Sequence, residues 1–168
     1  ASPGGIKKYT GKGDVMRNTK KFDIKKIMLK SSKSDRISKA YTTSYKEIFD
    51  FGLVFFTKSL KKFSFKFSVQ RLFIYYMSID FDSHVMRKFG KFTALKLKNK
   101  AKSLLKKLDS ENPLTNRLLI NFDKYLKHMH LNPGTCADLT VTTLLIDKIL
   151  CIVQYSNLKK VWIRYFNV

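Results

Sequence analysis

The stretch from His130 to Leu139 carries the residue types best suited to hold an anion. It reads HLNPGTCADL, in which Asn-Pro and Pro-Gly mark a turn, and an apolar run at helical spacing follows. The start of a helix leaves backbone N–H groups unpaired at the positive end of the helix dipole, and both favour a phosphate. Asn132, Gly134 and Thr135 are therefore candidate phosphate contacts, and Gly134 lets a ligand approach the backbone closely.

The same residues have a purely structural interpretation. Thr135-x-x-Asp138 has the form of a capping box, in which each side chain satisfies a free backbone N–H group at the other position. Caps are far commoner than ligand sites, so the residues alone favour a well-formed helix start.

A second polar cluster lies between residues 80 and 90. Two carboxylates, Asp80 and Asp82, precede Arg87 and Lys88 by about two helical turns. Such a set could hold a magnesium ion together with the phosphates that the ion bridges. Alternatively, an aspartate caps the next helix and the two cations lie on its solvent face, and the cluster taken alone favours this second interpretation.

A helix is predicted from Ser34, which can cap it, to residue 49, because apolar and aromatic residues recur every three or four positions. Asp35 in its first turn either complements the helix dipole or projects into a cleft together with Arg36.

Residues 1–34 hold four of the seven glycines, including Gly4 and Gly5, among many basic residues. A basic, glycine-rich loop can cradle phosphate through its backbone N–H groups. The spacing matches no standard phosphate loop, so a surface loop is favoured, followed by an amphipathic helix from Asp23.

The elements that position these clusters are predicted to be helices. Seven glycines and three prolines are few for 168 residues, which favours helices joined by short connections. Residues 151–168 form an apolar tail that reads equally well as a helix or a hairpin. Beyond the helix from residue 34, the predicted helices span residues 69–79, 91–108 and 114–128, and a further helix follows the turn in residues 130–139 and runs to Leu150.

The net charge of +22 predicts attraction to polyanions, whether nucleic acid, acidic lipid or phosphorylated substrates. In residues 58–68, lysines and phenylalanines are interspersed in a way that suits stacking on single-stranded bases. A lysine-decorated helix end with inward phenylalanines explains that segment better. The lysines are spread along the whole chain, as an AT-rich coding sequence would produce, so the charge is a weak functional clue.

Other classes of protein are disfavoured. Cys136 and Cys151 fit no CxxC pattern, and His128 and His130 have no third ligand nearby, so neither a disulfide framework nor a zinc site is indicated. There is no signal peptide and no window of about 18 apolar residues, so we expect a cytoplasmic protein that does not enter a membrane. The chain begins with Ala1 rather than Met, and we expect it to be part of a longer protein.

Four short segments form a pattern that covers most of the chain. They are Ala1–Gly5 with Asp14-Val15, Asp35–Ser38 with Tyr41 and Phe49–Leu53, Asp82–His84 with Arg87, Lys88 and Gly90, and Leu131–Leu139. Each segment is short, but their order and spacing together are specific. In this pattern, up to about Leu150, the chain resembles the triphosphoribosyl-dephospho-CoA synthase family, the ATP:dephospho-CoA triphosphoribosyl transferases.

The resemblance implies an all-α, multi-helix globular bundle. It also implies an enzyme that displaces adenine from ATP and joins the triphosphoribosyl group to dephospho-CoA or a related acceptor. This reaction is a step in making a prosthetic group. The resemblance further implies that residues 1–150 are the C-terminal part of such a domain, without the family's N-terminal helices, so that the chain alone is expected to be incomplete. The competing hypothesis is a basic helical protein that binds nucleic acid through its phosphates and has no catalytic activity.

The implied reaction sets the roles of the site residues. The triphosphate must be bound by cationic side chains and N–H groups, together with magnesium. A carboxylate must stabilise positive charge at the ribose carbon or deprotonate the attacking hydroxyl. From the motif positions we predict catalytic carboxylates at Asp35, Asp82 and Asp138, with Mg²⁺ on Asp82 and Asp138. The predicted phosphate-binding residues are Arg36, Arg87, Lys88, Asn132, Gly134, Thr135, Gly4 and Gly5.

Overall fold

Every regular element in the described part of the chain is helical. The computed structural model describes residues 24–166, and of residues 154–166 the backbone alone. No strand occurs among these residues, which confirms the all-α prediction. The elements are α1 (Ile24–Ser31), α2 (Arg36–Thr42), a π-helix (Glu47–Gly52), α3 (Leu53–Leu60), α4 (Phe65–Ile79), α5 (Ser83–Lys107), α6 (Pro113–His128) and α7 (Gly134–Phe166).

Polar side chains determine where four of the helices begin. Asp35, rather than the predicted Ser34, caps α2, and Ser64, Asp82 and Asn112 cap α4, α5 and α6. Each of these side chains accepts a hydrogen bond from the backbone N–H three residues later. Such a cap satisfies a donor that the first turn of a helix would otherwise leave free.

The prediction of one continuous helix over residues 34–49 is wrong. Helix α2 ends at Thr42, because Ser44 and Tyr45 adopt left-handed backbone conformations with φ of 53° and 57°. The Tyr45 N–H donates to the Ala40 carbonyl at 2.7 Å, which closes the turn before the chain enters the π-helix. Each left-handed residue costs about 1–2 kcal/mol in an L-amino acid, so the surrounding structure must hold this turn in place.

Helix α4 lies at the centre of the core and packs against α3, α5 and α7. Leu72, Tyr76 and Met77 on this helix are at most 1% exposed. Phe67 on the same helix is also fully buried. The large buried side chains of the surrounding elements include Ile48, Phe56, Val85, Leu97, Leu108 and Leu139.

Helix α5 bends at Gly90, whose φ of 84° and ψ of 167° are open only to glycine. The sequence predicted an aspartate that caps a helix carrying Arg87 and Lys88, and a long helix over residues 91–108. In the structure the two belong to one element, which begins at Ser83 and bends at Gly90. The bend gives the short first part of α5, which carries His84, Arg87 and Lys88, a direction of its own.

Helix α7 extends beyond the core. It packs against α2, the π-helix, α4 and α5, but every described side chain from Lys148 to Val153 is exposed. The helix continues to Phe166, so residues 151–166 are helical. No helix among the described residues is long and apolar enough to cross a membrane.

A close contact at Gly52 joins the π-helix to α4 and α7. A Cβ atom added at Gly52 would lie 1.8 Å from Tyr76 Oη and 3.2 Å from Thr143 Oγ1. Those two hydroxyl groups are hydrogen-bonded at 2.6 Å, and burial raises the pKa of Tyr76 to about 12. The buried hydroxyl pair therefore leaves no room for a side chain at position 52.

We expect Gly52→Ala to lower the free energy of unfolding by about 2 kcal/mol, because an added methyl group overpacks a filled core. Urea unfolding followed by circular dichroism measures this change. Gly134→Ala is the matched control, since its added Cβ would lie 3.8 Å from the nearest His84 atom, and it should shift stability by less than about 0.5 kcal/mol. Equal losses in the two variants would contradict the packing argument.

Candidate active site

The first turns of α2, α5 and α7 meet at one place. The backbone N–H of Arg36 donates to Ser83 Oγ at 2.8 Å, and the backbone N–H of His84 donates to Thr135 Oγ1 at 3.3 Å. The positive ends of the α5 and α7 dipoles meet here and favour a negative charge, and Asp82 already accepts one backbone N–H from each of these two helix starts. Three segments that are distant in the sequence, and that carry most of the predicted site residues, are brought together here.

Asp82 ties the starts of α5 and α7 together. Its side chain is buried, and one carboxylate oxygen accepts the Val85 N–H at 3.0 Å while the other accepts the Cys136 N–H at 2.8 Å. No group of three or more His, Cys, Asp or Glu side chains that could hold a metal ion occurs in the described part of the chain. The hydrogen bonds from the Val85 and Cys136 N–H groups favour the capping interpretation of Asp82 over coordination of Mg²⁺.

Arg36 points into the protein, where it is 3% exposed. Its Nε donates to both carboxylate oxygens of Glu47, at 3.0 and 3.1 Å, and its Nη2 is paired with the same carboxylate. Its Nη1 donates to the Tyr76 carbonyl at 2.9 Å and to Cys136 Sγ at 3.6 Å. Burial is the largest single effect and acts to lower the pKa of Arg36, but the hydrogen bond to Glu47 and the electrostatic effects of Cys136, Glu47 and Asp80 together outweigh it. The pKa is therefore raised and the guanidinium stays charged.

The Cys136 thiol lies against this pair and is itself fully buried. Burial raises the pKa of the thiol well above its usual range, although the charge of Arg36 acts against the shift. A thiol with a raised pKa carries little thiolate at neutral pH and is a poor nucleophile. Its burial and its raised pKa therefore favour a packing role for Cys136 at the start of α7 over the role of a nucleophile.

An ion pair between Asp35 and Arg87 lies at the outer edge of the meeting point. Asp35 also accepts the Ser38 N–H at 2.9 Å, as the cap of α2. The two side chains are 25% and 37% exposed, so solvent and ligands can reach both charges. The pair brings the starts of α2 and α5 together and places a cation at the surface.

Asp138 lies one turn into α7 and is exposed. It lines a cavity of about 360 Å³ together with Ile37, Tyr45 and Phe49. The Thr135 hydroxyl is bonded to His84, and no hydrogen bond joins the Asp138 carboxylate to any residue that the structure describes. Among the described residues, the capping box expected between positions 135 and 138 is therefore not formed, and Asp138 lies exposed at the cavity.

Comparison with known families identifies the chain. Residues 1–156 match the family of the ATP:dephospho-CoA triphosphoribosyl transferases (CitG). The chain belongs to this family. The match covers most of the 168 residues and confirms the resemblance found in the four short segments. No curated protein and no solved structure gives a significant match.

The phosphate partners predicted for this transferase family fall into two groups. Four of them are exposed or half-buried: Arg87, Lys88, Asn132 and Gly134. Arg36 and Thr135 are buried, and their polar side-chain groups are used within the protein. Gly4 and Gly5 lie outside the described residues.

Sequence reasoning missed Glu47, the partner that holds Arg36 in the interior of this transferase-family chain. Eleven residues separate the two, and they are joined only because the left-handed turn at Ser44 and Tyr45 brings the π-helix back against α2. A lone glutamate among aromatic residues gives no signal of such a pairing. Ser83 was named only as part of a motif, and its bond to the Arg36 backbone could not be read from the sequence.

Proposed function

We propose that this chain transfers the triphosphoribosyl group of ATP to dephospho-CoA or a related acceptor and releases adenine. The observation that carries the proposal is the match to the transferase family over residues 1–156. The meeting of the α5 and α7 starts beside Arg87 supports it, since the donor substrate is a polyphosphate. ATP and dephospho-CoA are the two substrates.

In the proposed step, the bond between the ribose anomeric carbon and adenine breaks, and adenine leaves with the bonding electrons and takes up a proton. The acceptor hydroxyl oxygen forms the new bond to that carbon and gives up its proton. Nothing is oxidised or reduced. The requirements on the protein are an anion site for the triphosphate and a carboxylate beside the reacting carbon.

We assign that carboxylate to Asp138. Its freedom from hydrogen bonds with the described residues leaves it able to take the hydroxyl proton and to stabilise positive charge at the anomeric carbon. Asp35, by contrast, is engaged with Arg87 and the Ser38 N–H, and Asp82 is buried between two backbone donors. Arg87 and Lys88, which are exposed at the start of α5, bind the triphosphate in this scheme, and Arg36 acts as a positioning residue.

The proposal is tested by the release of free adenine from ATP in the presence of magnesium and dephospho-CoA. We expect Asp138→Ala to lower kcat about 100-fold or more, the usual contribution of a positioned general base. Asp147→Ala removes the same charge from the same helix and should retain activity within about twofold.

The assay uses the 168-residue chain beside the full product of its gene. Adenine release that requires dephospho-CoA and is lost in Asp138→Ala supports the transferase. Absence of adenine release in both samples, together with tight and salt-sensitive RNA binding, would replace the transferase with a nucleic-acid-binding function.

A further inference from the structure

The segment between α2 and α3 combines several features that are common at ligand sites. Ser44 and Tyr45 hold left-handed backbone conformations, with φ of 53° and 57°, and a π-helix from Glu47 to Gly52 follows them. Strained residues and π-helical turns both concentrate at functional sites, because the rest of the fold must stabilise them. Phe51 on this segment leaves 52% of its surface exposed and is therefore accessible to a ligand.

A cavity of about 510 Å³ opens beside this segment, between α2, the π-helix and the end of α4. Phe51, Tyr75 and Ile79 supply apolar surface to its lining. The Tyr75 ring is stacked on Phe55, with the ring centres 4.2 Å apart and the planes at 12°, so the orientation of this wall is fixed. A volume of about 300–1,000 Å³ with flat, apolar walls suits a planar heteroaromatic ring.

Two lysines in the lining supply positive charge. The Lys39 Nζ atom lies 3.7 Å from Asp80 Oδ2, so the two form an ion pair. The Lys39 side chain is 57% exposed and that of Asp80 is 41% exposed. The Lys46 ammonium group forms no hydrogen bond or ion pair with any residue that the structure describes. Exposed ion pairs are worth little, so both ammonium groups are available to an anionic ligand at small cost.

Glu47 connects this cavity to the candidate active site. Its side chain lines the cavity, and its carboxylate holds Arg36 in the interior. Arg36 in turn contacts Cys136 in the first turn of α7 and, through its backbone, Ser83 at the start of α5. A ligand in the cavity would therefore contact the ion pair that supports the meeting point of the helices.

We propose that this cavity binds an adenine nucleotide, with the base against Tyr75 and Phe51 and the 5′-phosphates at Lys39 and Lys46. The choice of an adenine nucleotide rests on the proposed function, because ATP and dephospho-CoA both carry a 5′-phosphorylated adenosine. The apolar walls select the base, and the two lysines select the phosphate.

The first test is the affinity of the full chain for AMP and for adenosine, measured by isothermal titration calorimetry. Phe51→Ala removes an exposed ring and should weaken AMP binding about tenfold, in line with the loss of one base-stacking contact. Lys46→Gln should weaken AMP binding severalfold and leave adenosine binding unchanged, since adenosine has no phosphate. The matched controls are Phe92→Ala, which removes a ring that is 70% exposed on α5, and Lys124→Gln on α6, and both should bind AMP as the wild type does.

The second test identifies which substrate occupies the cavity, through the KM values in the adenine-release assay. A higher KM for ATP alone in Phe51→Ala assigns the cavity to the donor, and a higher KM for dephospho-CoA alone assigns it to the acceptor. If the wild type releases no adenine but AMP binding still depends on Phe51 and Lys46, the proposed reaction fails and the nucleotide site stands. Absence of AMP binding, equal weakening in the control variants, or unchanged KM values for both substrates overturns the site.

Discussion

Asp82→Ala is expected to lower the free energy of unfolding by about 4 kcal/mol and to abolish adenine release. The substitution removes a buried carboxylate that accepts the Val85 N–H at 3.0 Å and the Cys136 N–H at 2.8 Å. Hydrogen bonds to a charged group contribute about 1.5–3 kcal/mol each, and the two backbone donors would be left unpaired in the interior. Urea unfolding followed by circular dichroism measures the stability change.

Asp123→Ala is the matched control for this substitution. Asp123 is also an aspartate that is paired in the structure, but its partner is Lys127 one turn along α6, and the two side chains are 56% and 75% exposed. An exposed pair of this kind is worth about 0.3–0.5 kcal/mol. A similar small loss in Asp82→Ala would show that the carboxylate does not join α5 to α7.

Asp82→Asn separates the role of Asp82 in the site from its role in stability. The amide keeps the shape and one acceptor oxygen, but its NH₂ group faces a second backbone donor and cannot accept from it. We expect about half of the stability loss of the alanine variant, with a protein that still folds at room temperature. If this folded variant has a lower kcat, the relative placement of the α5 and α7 starts matters for the reaction. An unchanged kcat would limit Asp82 to a structural role.

Local features of the sequence were enough to predict most of the helices. The start of α6 follows from Asn112-Pro113, and the start of α5 follows from the aspartate before Ser83, because a cap acts on backbone groups only three residues away. The break after Thr42 was not predictable from the spacing of apolar residues, since that spacing continues through it. Ser44 and Tyr45 carry no glycine-like signal for a left-handed turn, so tertiary packing must impose it.

The candidate site could be predicted in its segments but not in its side-chain orientations. The Asp82 side chain and the Cys136 backbone that it binds are 54 residues apart, and nothing in either segment specifies the other. The sequence predicts Arg36 at a phosphate, whereas in the structure its guanidinium faces Glu47 and the Tyr76 carbonyl. A motif fixes which residues a segment carries, but burial and available partners decide which of them face a ligand.

The second large effect is expected at the Arg36–Glu47 pair. Glu47→Met leaves a guanidinium that is 3% exposed without its carboxylate, and we expect a loss of about 3–4 kcal/mol in the free energy of unfolding. Arg36→Met should cost a similar amount, because it also removes the donors to the Tyr76 carbonyl and to Cys136 Sγ. Urea unfolding of each variant measures the losses.

The double variant Arg36→Met/Glu47→Met distinguishes an ion pair from two independent contacts. Two apolar side chains of similar length leave no buried charge unpaired. The loss in the free energy of unfolding of the double variant should therefore be smaller than the sum of the two single losses by about 2 kcal/mol or more. The same cycle on Asp123 and Lys127, an exposed pair on α6, should give a coupling of about 0.3–0.5 kcal/mol. Additive losses at positions 36 and 47 would mean that the charges do not depend on each other. Strong coupling, with AMP affinity also reduced in the double variant, would establish that one ion pair supports both the helix starts at the candidate active site and the wall of the nucleotide cavity.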